Sequence, residues 1–110
     1  MKVFIAITMG SGEASPVKRA IACICEVAHH QVVESIDEAE LVVTDSSKDA
    51  LSVLKGNEIV RVAIMTYRKD EEIGACALQR AYAGRVDVCP LLDNEGNIAV
   101  YLIKNQGEVK

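Results

Sequence analysis

Few residues in this chain are of a type and spacing that do chemistry, and those few stand just beyond short apolar runs. Gly10-Ser11-Gly12 follows the run Val3 to Ile7. Two glycines let a backbone approach a ligand closely, and Ser15-Pro16 behind them opens a helix whose N-terminus attracts anions. The pattern stops short of a nucleotide motif: the third glycine of a dinucleotide fingerprint falls at Ser15, and no Lys-Ser/Thr pair follows as in a P-loop. Glu13 also repels a phosphate at short range. A plain turn feeding a helix accounts for the same residues. The second group is Asp45 and Ser46, after Leu41 to Val43, with Thr66 at the end of the next apolar run. A carboxylate and hydroxyls at the carboxyl ends of neighbouring strands can hold a small ligand, because ligands of open α/β sheets bind at that edge. The simpler reading of Asp45 is the cap of the helix that starts at Ser46.

Sulfur and imidazole offer less. Cys23 and Cys25 lie two apart on a helix, about 160° apart around its axis, so they do not share one metal. His29 and His30 sit together at a helix end, where the dipole favours them, and no spaced Cys/His cluster of the zinc kind exists. Cys89, at a strand's carboxyl end, is the one thiol placed where reactivity is useful; a buried, inert thiol is the simpler reading. With no export signal, all four cysteines are expected to be reduced, small core residues.

The elements that must position these groups alternate. Val3 to Ile7 is unbroken apolar sequence, which suits a central strand covered on both faces. Ser15 caps and Pro16 opens a helix with Val17, Ala20, Ile21, Ile24, Val27 and Ala28 on its inner face. Gln31 to Glu34 is a candidate strand, but the interval from there to Leu41 is shorter than an ordinary parallel crossover. Ser46 or Ser47 caps a helix holding Ala50, Leu51 and Leu54 inward and closed by Gly56. Ile59 to Met65 reads as a strand. Asp70-Glu71-Glu72 then opens a helix with the charge its dipole favours, ending near Gly84. Arg85 to Leu91 and Asn97 to Ile103 read as two last strands joined by the turn Asp93-Asn94-Glu95-Gly96, hence an antiparallel hairpin. The expected fold is an α/β three-layer sandwich, flavodoxin-like or receiver-like: one domain over 1–105, a mostly parallel sheet with an antiparallel C-terminal strand, and a frayed tail at 106–110.

Asp45 closing one apolar run, Val62-Ala63-Ile64-Met65-Thr66 closing the next, and the acidic helix start Asp70-Glu71-Glu72 together resemble the receiver domain of two-component response regulators over residues 2 to 92. The resemblance implies a phosphoacceptor at Asp45 with Thr66 beside it. It also shows departures. The acidic pair that holds Mg²⁺ in the family is replaced by Thr8-Met9, and the Lys before Pro becomes Cys89 before Pro90. The interval from Asp45 to Thr66 is short, and the final helix is replaced by the strand Asn97–Ile103. Without Mg²⁺ to neutralise a transferring phosphoryl group, Asp45 is a poor acceptor, so the resemblance implies a degenerate receiver that is not phosphorylated.

Composition narrows the classes further. A 110-residue chain with half its residues hydrophobic and a quarter charged is globular, and one domain of this size needs no disulfide or metal. A net charge of −4 with scattered basic residues argues against nucleic acid. Five consecutive apolar residues at the N-terminus are too few for a signal core or membrane span, so a cytoplasmic protein without a membrane partner is expected. No cofactor and no catalytic residue is indicated, since no base stands recognisably beside Asp45 or Cys89. The reading that results is a non-enzymatic regulatory or protein-interaction domain; the alternative is a module for a small anionic ligand at Gly10, Ser11, Gly12, Asp45, Ser46 and Thr66. In the expected last strand, Ile98 and Val100 alternate with Tyr101 and Ile103 so that both faces are apolar. One face then lacks a cover, and a homodimer or another protein is expected to bind there.

Overall fold

The computed structural model describes residues 1–7 and 16–105. The loop residues Gly10, Ser11 and Gly12 and the tail 106–110 lie outside the described residues. In chain order the elements are β1 (Lys2–Ala6), α1 (Pro16–Val27), β2 (Gln31–Val32), a 3-10 turn (Ile36–Glu38), β3 (Leu41–Thr44), α2 (Ser47–Gly56), β4 (Arg61–Thr66), α3 (Lys69–Ala81), β5 (Val86–Pro90) and α4 (Ile98–Lys104). The five strands form one sheet in the order β2-β1-β3-β4-β5, with every pairing parallel. This is an α/β, flavodoxin-like arrangement.

Strand alternation sorts the apolar residues into two cores. Val3 and Ile5 of β1, Leu41 and Val43 of β3, and Ala63 and Met65 of β4 face α1 and α4, where Ile21, Cys25, Ile98 and Leu102 meet them. Val42, Val62, Ile64 and Val86 face the other way, against Ala50 and Leu54 of α2 and Ala75 of α3. β3 is covered on both sides, and all four of its residues are buried, which explains why it reads as an unbroken apolar run.

The inner face of α1 is rotated from the expected one. Ile21, Cys25 and Ala28 are buried at helical spacing, whereas Ala20 and Val27 are exposed. The helix ends in a Schellman arrangement: the His30 amide donates to the Cys25 carbonyl (2.8 Å), the His29 amide to the Glu26 carbonyl (3.2 Å), and His29 takes φ 61°. The link from β2 to β3 is indeed abbreviated to one 3-10 turn, capped by Ser35, whose hydroxyl accepts from the Asp37 amide. It can be short because β2 and β3 merely flank β1, so it spans about 10 Å between them.

The C-terminal hairpin is not present. Asn97–Ile103 forms the helix α4 rather than an antiparallel strand, and β5 pairs parallel to β4. Ile98 to Ile103 is apolar throughout, so no period distinguishes strand from helix; the capping chemistry decides. The Asn97 side chain accepts from the Val100 amide (3.0 Å), and the Asp93 side chain turns the preceding loop by accepting from the Glu95 amide (2.9 Å). Among the described residues, no helix is long and apolar enough to cross a membrane.

Candidate functional site

The carboxyl edge of β3, β4 and β5 carries the polar groups singled out above, and each is placed by the residue beside it. Thr44 ends β3 fully buried, and its hydroxyl accepts from the Ser46 amide (3.1 Å). Ser46 is the N-cap of α2, its hydroxyl accepting from the Asp49 amide (3.2 Å). Asp45 is therefore not the cap. Its carboxylate turns toward β4 and accepts from the Tyr67 hydroxyl (3.2 Å). Burial, then the neighbouring Asp45 carboxylate, then Glu71 push the Tyr67 hydroxyl up to about 12. It is thus a donor at any physiological pH.

Glu71 holds the turn between β4 and α3: one carboxylate oxygen accepts from the amides of Tyr67 (2.8 Å) and Arg68 (3.0 Å). Those amides precede the helix, and the acidic side chain in its first turn also meets the favourable end of the dipole. Between the starts of α2 and α3 lies a cavity of about 430 Å³ walled by Asp45, Ser46, Ser47, Thr66, Asp70 and Glu71. On the far side of Thr66 a second cavity, about 300 Å³, is walled by Tyr67, Arg68, Lys69, Pro90, Leu91 and Leu92. Thr66 is 3% exposed and lines both. Its carbonyl accepts from the Leu91 amide (2.8 Å), which ties the β5–α4 loop to the edge.

Three of the six candidate ligand residues, Asp45, Ser46 and Thr66, are thus brought to one cavity; Gly10, Ser11 and Gly12 lie outside the described residues. Cys89 ends β5 but faces the core against α1 and α4. Burial first, and the Asp87 carboxylate second, push its thiol up to about 12. Such a thiol carries no thiolate to attack with. Cys25 is buried as well, and burial raises its thiol to about 11. Cys23, by contrast, is exposed and Cys76 partly so, which corrects the expectation that all four cysteines lie in the core.

The expected interface residues are relocated with α4. Ile98 and Leu102 pack into the core, Val100 and Tyr101 are half-buried, and Ile103 alone is open at 46%. No strand with two apolar faces remains to be covered. Sequence reasoning also missed four contacts. Tyr67 stands beside Thr66 in the chain, yet only the fold brings its hydroxyl to Asp45. Asp87 on β5 accepts from Arg61 (3.0 Å) and from the Tyr101 hydroxyl (2.9 Å), pinning α4 to the sheet. His30 is buried rather than solvated, its Nε2 donating to the Leu102 carbonyl (2.9 Å). None of the four joins residues near in sequence, so no local pattern announces them.

Among the described residues, no group of three or more His, Cys, Asp or Glu side chains could hold a metal ion. Comparison with family models, curated proteins and solved structures finds no match to this chain.

Proposed function

We propose that this chain is a regulatory domain of receiver-like architecture that works through protein contacts and takes no phosphoryl group. The observation that carries the reading is the contrast at the carboxyl edge between quiet chemistry and exposed apolar surface. Asp45 is engaged by Tyr67, and the thiol at the end of β5 is buried and protonated. Around the same edge, Leu92 is 86% exposed, Ile73 73% and Leu91 44%. The cavity beneath the two leucines adjoins a larger one, about 650 Å³, that runs along α3 past Ile73, and Lys69 and Glu72 belong to both. Clustered exposed apolar residues with a polar rim mark a contact surface rather than a solvated one. The C-terminal helix α4 also removes one of the departures from the receiver pattern.

The partner that fits is a second copy of the chain. Lys69, Glu72, Arg80 and Asp93 place both signs of charge around the apolar residues. A two-fold axis that passes between the basic and the acidic residues sets unlike charges opposite one another. Sedimentation velocity across the micromolar range is expected to show a dimer that Leu92→Glu and Ile73→Glu each disperse. A wild-type chain that stays monomeric throughout, or a dimer indifferent to both substitutions, refutes this reading of the surface.

A further inference from the structure

We propose that α3 is the seam of the dimer: a second copy lays its own α3 antiparallel along it, with the two-fold axis at Cys76. The seam rests on the dimer read from the surface above and gives it a partner element and a register. α3 packs inward through Ala75, with Leu78 partly buried beside it. Its outward side is the stripe Lys69, Glu72, Ile73, Cys76, Ala77 and Arg80, which walls the cavity of about 650 Å³. These residues recur at three- and four-residue spacing, so they form one ridge along the helix. Cys76 and Ala77 at its middle are small, which lets another helix come close. Leu91 and Leu92 stand beside its first turn, next to Lys69 and Glu72. The ridge is therefore continuous with the exposed apolar patch.

The charges set the register. Among the described residues, Glu72 and Arg80 make no ion pair, yet they stand on the ridge one turn before and one turn after Cys76. At about 100° per residue they sit about 40° to either side of Cys76 around the helix axis. A two-fold axis through Cys76, perpendicular to the helix, reverses both the direction along the helix and the side. It therefore brings the partner's Arg80 directly onto Glu72, and symmetry makes the same pair again at the other end. Neighbouring registers lose this. An axis at Ile73 sets Glu72 against the partner's Gly74, and an axis at Arg80 sets that cation against itself. Exposed ion pairs contribute little affinity and mainly select among alignments; burial of Ile73, Leu91 and Leu92 supplies the rest. Packed helices have axes about 8–10 Å apart, and Cα atoms lie about 2.3 Å from their own axis. Residues that meet on the two-fold axis thus bring their Cα atoms to about 3.5–5.5 Å, and a disulfide spans about 4.4–6.8 Å. The two Cys76 thiols fall within bonding reach, whereas the two copies of position 73 are about 9 Å apart along the helix alone.

The test is disulfide trapping of the full chain carrying Cys23→Ala, which leaves Cys76 as the accessible thiol because Cys25 and Cys89 are buried. Oxidised glutathione is the oxidant: two Cys76 thiols give up two protons and two electrons, and its disulfide is reduced to two glutathione thiols. The expected result is a covalent dimer by intact mass, reversed by dithiothreitol. It should form about tenfold faster than in a chain that carries Cys76→Ala and Ile73→Cys instead. In sedimentation of the reduced chain, Glu72→Arg and Arg80→Glu should each raise the dimer dissociation constant about tenfold, and the two together should restore it. A wild-type chain that is monomeric throughout refutes the dimer and the seam with it. A dimer whose Cys76 stays unlinked, that links faster through Ile73→Cys, or that the exchanged charges fail to restore overturns the seam and leaves the dimer standing.

Discussion

Cys89 decides whether this edge can do thiol chemistry, and its protonation can be read as a stability difference. The native thiol is raised from 9.0 to about 12, chiefly by burial. Above pH 9.0 the unfolded chain sheds this proton and the folded chain keeps it, so the unfolded state binds fewer protons and stability falls as pH rises. At about pH 10.5 the unfolded thiol is ionised some thirtyfold over and the native one hardly at all, so this residue alone removes about 2 kcal/mol relative to neutral pH. The loss is complete only once the pH passes the native value of about 12. Urea unfolding of wild type and Cys89→Ala at neutral pH and at about pH 10.5 isolates the effect, because the small cavity left by the substitution is common to both conditions and cancels. Wild type should lose about 2 kcal/mol more than the variant between the two pH values. Cys25 moves in the same direction in both proteins, since burial also raises its thiol. Equal losses in wild type and variant would refute the reasoning. So would Cys89 reacting with Ellman's reagent in the folded protein as fast as the exposed Cys23.

Two further outcomes test the structure at other points. Asn97→Ala removes the cap of α4 and should lower stability by about 1 kcal/mol in chemical denaturation; in an antiparallel hairpin the same change would be nearly silent. Acetyl phosphate with Mg²⁺ should add no phosphoryl group to Asp45, checked by intact mass, and a gain of one such group abolished by Asp45→Asn would show that the edge is a working phosphoacceptor after all.

Where an element carries its own punctuation, the chain is legible. Pro16 opens α1, the serines after Asp45 open α2, and three acidic residues open α3; each helix is found where those signals stand. The failure at α4 has the opposite cause. Its six apolar residues hold no polar residue that would reveal a period, and Asp93-Asn94-Glu95-Gly96 serves a helix entry as readily as a hairpin. The rotation of α1 toward Cys25 is a tertiary effect. His30 is drawn inward to the Leu102 carbonyl, so the helix turns to the side on which α4 lies, and nothing between Pro16 and Val27 encodes where a helix eighty residues away will pack.

The candidate site divides along the same line. Three of its residues could be named because topology alone sends strand ends to one edge, but the roles of those residues depend on which hydroxyl finds which partner. Asp45 and Ser46 are neighbours competing for one cap. Ser46 wins because its hydroxyl is placed three residues before the Asp49 amide it must reach, leaving the carboxylate to Tyr67. Once Thr44, Ser46 and Tyr67 have each found a partner within the protein, Ser47 and Thr66 are, among the described residues, the hydroxyls lining this cavity that have none. A sequence shows the hydroxyls at this edge as equals; only the set of hydrogen bonds separates those that hold a backbone amide or the Asp45 carboxylate from those that do not.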